Sequence, residues 1–359
     1  MPSIATPSRA LWAVGLLLAG TLAAGIAGAD SSYRLGQGYR LSGLGLTAGG
    51  YASIHLSRLD GEPTTLNLKE LSLFLHGDVS PAWHFFTELE LGDVFKVSKG
   101  DAAALEPDFD VERLYLDHDL SDRDALRLGK FLSPIGRWNQ IHADPLVWSV
   151  SRPLTTSAAF ARHASGMELY GSRPLGAAAV DYQLYLDGSA ALDPTEAQED
   201  TFPDVAARPN PPSSFGHGQG LYLRYRSADD NLQLGLSAAR YSLKEQPPSK
   251  QLLGLDLFYA KSGWELAGEA IYRRDEDGGG GSDRGGYVQL AAPIGERLHL
   301  VLTHERYRAA IVGDAVEWSA IGLTYRPSPP LSLKLEYRDS HGADVLMPSG
   351  VLCSLSILL

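Results

Sequence analysis

Leu331-Ser332-Leu333-Lys334-Leu335-Glu336-Tyr337-Arg338 alternates apolar and polar residues without a break. Successive side chains of a strand point to opposite faces. This stretch therefore has one face of leucine and tyrosine and another of serine, lysine, glutamate and arginine. Asn231-Leu232-Gln233-Leu234-Gly235-Leu236-Ser237 repeats the pattern, as do Leu221-Tyr222-Leu223-Arg224-Tyr225-Arg226 and Leu253-Gly254-Leu255-Asp256-Leu257. A soluble sandwich can show the same alternation, so the connections between strands must separate the two possibilities.

Strands are expected near 43–56, 66–77, 82–92, 109–118, 124–132, 164–173, 176–187 and 218–227. Eight more are expected near 230–242, 250–260, 263–273, 284–293, 296–308, 315–326, 330–340 and 350–359. That makes about sixteen, an even number as single-chain bacterial barrels have. The second strand loses its alternation at Lys69-Glu70, where a bulge is expected. Short turns with Pro, Gly, Ser or Asp fall at 78–81, 120–123, 173–175, 228–229, 261–262, 294–295 and 327–329. Longer connections at 93–108, 133–163 and 188–217 alternate with them. Short turns at one end and long loops at the other are the pattern of an outer-membrane barrel. The expected fold is all-β: a transmembrane antiparallel β-barrel of about sixteen strands over 43–359, preceded by a short segment at 30–42. Trp83, Tyr225, Tyr259, Trp264, Tyr272, Tyr325 and Tyr337 fall near strand ends, where barrels carry aromatic girdles.

The N-terminus agrees with export. Arg9 precedes an apolar, small-residue run from Ala10 to Ala29 that closes on Ala27-Gly28-Ala29, a small-x-small cleavage pattern. Residues 1–29 are read as a cleaved signal peptide, which implies the bacterial outer membrane. Lys and Arg total 31 against 43 Asp and Glu, a formal charge of -12, and this excludes a nucleic-acid footprint. The single cysteine, Cys353, excludes an intrachain disulfide, and no Cys/His metal spacing exists. Neither a metal nor a cofactor is expected.

Arg127-Leu128-Gly129-Lys130-Phe131-Leu132-Ser133-Pro134-Ile135-Gly136 resembles the strand-to-loop motif of the phosphate-selective porin O and P family, and Ser149-Val150-Ser151-Arg152-Pro153-Leu154 is similar to that family's loop. The resemblance implies a sixteen-stranded channel, a homotrimer, whose long third outer loop folds into the lumen and narrows it. Loop 133–163 holds that place here. Its charges are Arg137, Arg152 and Arg162 against Asp144, with His142 and His163 beside them. A cationic constriction would favour anions, because selectivity follows the charge at the narrowest point.

The polar face of the wall carries Glu88, Glu90, Asp181, Asp187, Asp256, Glu265 and Glu269, and also Arg113, Arg127, Arg224, Arg226, Lys334 and Arg338. All are expected to face the lumen, either as opposed rows that impose a transverse field or as pairs between strand neighbours. The expected function is passive diffusion of small anionic or neutral hydrophilic solutes, with outer-membrane lipid and lipopolysaccharide as partners. The acidic loop with Asp193, Glu196, Glu199, Asp200 and Asp204 is a candidate for cation-bridged contact with lipopolysaccharide. The alternatives are a barrel enzyme of lipase or protease type and a structural or adhesive barrel. His118, His142, His163 and His304 fall in no recognisable nucleophile motif, and no catalytic residue is assigned.

Overall fold

A computed structural model describes residues 33–34, 38–41, 43–100, 103–105, 107–141, 143–192, 215–244, 246–277, 281–309, 314–342 and 346–359. The expected signal peptide, the acidic residues 193–204 and His142 lie outside the described residues. The strands are β1 (Tyr33–Arg34), β2 (Gly38–Leu41), β3 (Leu46–Leu59), β4 (Thr65–Ser80), β5 (Trp83–Ser98), β6 (Asp108–Ser121), β7 (Asp124–Leu132), β8 (His163–Leu175) and β9 (Ala178–Asp187). They continue with β10 (Phe215–Arg226), β11 (Leu232–Leu243), β12 (Gln246–Lys261), β13 (Trp264–Asp275), β14 (Ser282–Pro293), β15 (Leu298–Arg308), β16 (Ala315–Ser328), β17 (Leu331–Gly342) and β18 (Gly350–Leu358).

β3 to β18 form a closed antiparallel barrel of sixteen strands. Each pairs with its sequence neighbour, and the last pairs with the first from Gly350↔Leu59 to Leu358↔Tyr51. Where β18 ends, β2 extends the ladder by pairing Tyr39 with Ala48. Closure leaves no open edge, which hydrocarbon requires because it offers no water to an unpaired N–H or C=O. The shortest barrel strands, β7 and β18, have nine residues, enough to cross a bilayer when tilted.

Every expected strand is present, and the differences lie at the ends. The turn expected at 173–175 is Gly176-Ala177, with Gly176 at φ 62, so Arg173-Pro174-Leu175 ends β8. β5 runs through the expected start of the 93–108 connection to Ser98. Gly92-Asp93 reads as turn chemistry, yet Asp93-Val94 forms a bulge opposite Lys69, which itself bulges out of the β3 ladder at the position where the sequence breaks its alternation. Asp93 takes φ 45 and accepts hydrogen bonds from Asn67 Nδ2 (2.5 Å) and Lys69 Nζ (3.2 Å), which hold the kink. β10 likewise begins at Phe215, inside the expected 188–217 loop. In the turn after β10, Ser227 Oγ and the Asn231 amide donate to Asp229 and hold its carboxyl below the usual range.

The alternation is inverted relative to a soluble protein. On β17, Ser332, Lys334, Glu336 and Arg338 are buried, while Leu333, Leu335 and Tyr337 are exposed. Leu234, Leu236, Leu253, Leu255, Leu302, Ile321, Leu355 and Ile357 join them in a wide outward apolar band. An apolar surface this continuous faces lipid. Tyr259, Trp264 and Tyr325 border it at the short-turn end, and Tyr272 and Tyr337 at the long-loop end; all five are exposed. No helix among the described residues is long and apolar enough to cross a membrane, which has no bearing on a barrel that crosses with strands.

Leu335 lies mid-strand in the band, across from Leu323 and Cys353. Leu335→Arg should destabilise the folded barrel in lipid vesicles by about 2–4 kcal/mol, and Tyr325→Arg near the turn by at most about 1 kcal/mol. Equal losses in denaturant titrations would show that β17 does not cross the membrane at this depth.

Candidate functional site

The chain leaves β7 at Leu132 and returns at His163, and the two ends of the intervening segment are clasped. Ser133 N donates to Arg162 O at 2.8 Å and Ser133 Oγ to Ala161 O at 2.6 Å. Asn139 Nδ2 donates to Ser133 O and Arg162 O, both at 2.9 Å. Asn139 thus fixes the neck of the loop from a fully buried position.

Beyond the neck, three wall carboxylates receive the backbone. Glu269 on β13 accepts from Arg137 N (3.1 Å) and Trp138 N (2.6 Å). Glu305 on β15 accepts from Leu154 N (2.8 Å), Thr155 N (2.7 Å) and Thr155 Oγ1 (2.6 Å), and also from Trp318 Nε1 (2.6 Å). Glu336 on β17 accepts from Val150 N (3.0 Å), Ser151 N and Ser151 Oγ. Each bond of this kind has a charged acceptor, which makes it stronger than an ordinary amide bond. Gly136 takes φ 67 to reach Glu269, and a Cβ there would stand 2.1 Å from Glu269 Oε2. No other residue fits that approach.

Lys334 closes the next stretch. Its Nζ donates to Asp144 O (2.5 Å), Asp144 Oδ1 (3.1 Å) and Ser149 O (3.2 Å). Asp144 also accepts from Ser354 Oγ at 3.1 Å, and His55 Nε2 lies 3.4 Å away. Arg338 donates to Pro348 O and to Ser151 Oγ. Apolar packing adds to the polar anchors: Ile135, Leu154, Ala159 and Phe160 share a buried cluster with Tyr241, Leu252, Ile271, Tyr307 and Trp318 of the wall.

The expected site residues therefore divide. Asp144, Glu269, Lys334 and Arg338 are spent in anchoring. Arg152 donates to Asn139 Oδ1 (3.0 Å) and Thr156 O (3.1 Å), and Arg162 lies 3.6 Å from Glu112. The Arg137 guanidinium stacks on Phe258, 3.6 Å from the ring centroid, and with Glu265 and Trp148 lines a narrow cavity of about 80 Å³.

On the other strands, opposite charges stand side by side. Arg113 lies 2.5 Å from Glu88, which also accepts from Ser72 Oγ. Arg127 binds Asp117 (2.8 and 3.0 Å) and Glu168 (3.2 Å), with its guanidinium over Tyr115. Arg224 and Arg226 share Asp181. Asp256 accepts from Tyr222 Oη at 3.1 Å, Asp187 accepts from Ser165 N and Ser189 Oγ, and Glu90 stands across from Ser72 and Asp110. Arg113, Arg127, Arg224 and Arg226 thus stand in pairs with strand neighbours, while Glu90 faces another acid, Asp110. Register put acids and bases on neighbouring strands, where direct pairing wins.

The geometry is that of a known architecture. Salmonella typhi OmpF in complex with daunomycin superposes with a TM-score of 0.60 at 10% identity, covering 87% of this chain and 96% of that one. An anion-selective porin from Comamonas acidovorans gives 0.57 at 13% identity over 87% and 98%. The trimer form of OmpT, an outer membrane protein of Vibrio cholerae, gives 0.56 at 9% identity over 88% and 99%. The chain has the fold of an outer-membrane porin. By sequence it is 23% identical over 340 residues to an uncharacterized protein of Aquifex aeolicus (strain VF5), covering 82% of this chain and 75% of that one. No family model matches.

Sequence reasoning missed Glu305, Glu336 and Asn139. Glu336 stands in the decisive stretch and Glu305 follows the same alternation on β15, so their inward direction was legible. Their task was not, because their partners are backbone N–H groups 150 or more residues away. Glu305→Ala should cost about 1.5–3 kcal/mol of local stability for each charge-assisted bond lost. Limited trypsin digestion reads this: the wild-type barrel should resist cleavage after Arg137 and Arg162, and the variant should be cut. A variant as resistant as wild type would show that Glu305 does not hold the segment.

Proposed function

We propose that the protein is an outer-membrane porin for passive diffusion of small hydrophilic solutes, with residues 133–162 inside the lumen as its constriction. The observation that carries this reading is the reach of the segment. It leaves from β7, yet the polar contacts of 136–155 fall on β11, β13 to β18 and β3. A segment bound to the buried face of strands across a closed barrel crosses its interior.

The free path then runs along β4 to β10. A cavity of about 500 Å³ lies there, lined by Gln140 of the segment and by Asp119, Asp124, Tyr182, Arg224 and Arg226 of the wall. Arg224 and Arg226 of this lining are both paired with Asp181, so a hydrated solute meets a polar lining in which these charges are largely offset. Selectivity is accordingly weak. Arg137, held by an aromatic face and by no carboxylate within ion-pair distance among the described residues, tips it toward anions. The paired lining favours small neutral and anionic solutes in general over phosphate in particular. We also read the chain as a homotrimer in contact with lipid and lipopolysaccharide, a reading the trimer form of OmpT supports.

The runner-up is a barrel lipase. His304 Nδ1 lies 2.9 Å from Ser319 Oγ on the outward face, with Glu317 at 4.0 Å from Nε2. The strand ladder on both sides of Ser319 engages its neighbouring backbone N–H groups, leaving no evident oxyanion donors. We therefore assign no catalysis.

In planar bilayers under a potassium chloride gradient, the refolded protein should give stepwise conductance with a small chloride preference. Arg137→Glu should reverse that preference, and deletion of 137–156 should raise the conductance severalfold. A folded barrel that does not conduct would sink the porin reading. Unchanged conductance on deletion would remove the segment from the pore.

A further inference from the structure

At the long-loop end the outer face of the barrel carries arginines where the chain as a whole is acidic. Arg284 on β14 and Arg306 and Arg308 on β15 point outward and are exposed. Arg284 stands directly across from Arg308, an unfavourable placement for two like charges. None of the three has a carboxylate within ion-pair distance among the described residues. Arg274 stands one strand over and is held by Gln251 Oε1 at 2.9 Å. The acids nearby are Glu317, across from Arg306 but 4.0 Å from His304, and Asp314.

Between the arginines the wall is hollowed. Gly286 presents no side chain on the outward face, and with Arg284, Gly285, Arg306, Arg308 and Asp314 it lines a cavity of about 680 Å³. Below it on the same strands begins the lipid-facing band, with Tyr272, Val288, Leu302 and Ile321 all exposed. A hollow rimmed by arginines directly above an apolar wall fits a molecule with an anionic head and acyl tails. Guanidinium groups bind phosphate oxygens in paired hydrogen bonds, and a phosphate here would neutralise the Arg284–Arg308 repulsion.

We propose that this rim binds the phosphate of an outer-leaflet phosphorylated glycolipid, with Arg284, Arg306 and Arg308 as its ligands and Val288, Leu302 and Ile321 against its acyl chains. The site rests on the reading of the outer face as membrane-facing and is independent of conduction. It gives the barrel a fixed lipid at one place on its circumference, beside the long-loop ends of β14 and β15.

The test is a titration of the purified, detergent-folded barrel with fluorescent diphosphorylated lipid A. Wild type should bind saturably. R284Q/R306Q/R308Q should weaken binding roughly tenfold or more. Dephosphorylated lipid A should bind wild type as poorly as the phosphorylated form binds the triple variant. Arg297→Gln, an exposed arginine at the short-turn end, should leave the affinity unchanged. Heat-dependent gel mobility checks that each variant is folded. Unchanged affinity in the triple variant, or an equal loss in Arg297→Gln, would overturn the site. Displacement by inorganic phosphate at equal concentration would assign a free-anion site and overturn the lipid. Bilayer conductance of the same preparations separates this from the channel reading: a barrel that binds lipid A without conducting keeps the site and loses the pore.

Discussion

Everything in this molecule follows from one constraint: a backbone that crosses hydrocarbon must satisfy its own hydrogen bonds. A sheet meets that constraint only by closing, and here it closes through the β18–β3 ladder. Closure makes an inside and an outside, and the two-residue period of a strand then sorts side chains between them. The result is the inversion seen on β17, with charge buried and leucine exposed. In water such a surface would aggregate. In a bilayer it is the stable arrangement, because the apolar row meets lipid and the polar row meets solvent and its own partners.

The interior then has a second problem, since charges at strand spacing in a confined space must be compensated. The structure solves it in two ways. Along β4 to β10 the compensation is local, with Arg113 on Glu88, Arg127 on Asp117 and Glu168, and Arg224 with Arg226 on Asp181. Along β13 to β17 it comes from the loop. Glu269, Glu305 and Glu336 accept backbone N–H groups, and Lys334 takes the carbonyls of Asp144 and Ser149. The wall charges that could have formed an ion path on that side are used to hold a segment of chain.

The two solutions explain why charge counts mislead. Segment 133–163 has three arginines to one aspartate, which reads as a cationic filter. Arg152 and Arg162 are turned to the loop's own neck and to Glu112, and Arg137 to the Phe258 ring. The acidic excess of the whole chain is equally uninformative at the outer rim, where arginines gather on one stretch of two strands.

The sequence alone determined the barrel. Alternation of period two, an even strand number and short turns alternating with long loops are local properties, written in consecutive residues and read without tertiary knowledge. Even the β4 bulge was visible, because a slipped alternation at Lys69-Glu70 is itself local. Strand ends were less legible: Gly92-Asp93 has the composition of a turn, and only the cross-strand bonds from Asn67 and Lys69 make it a kink within β5. The task of each inward charge was decided by tertiary structure. Whether a glutamate lines the passage, pairs with an arginine or anchors a loop depends on what stands across the barrel. Glu336 meets Ser151 at 185 residues' separation, and no local pattern encodes such a distance.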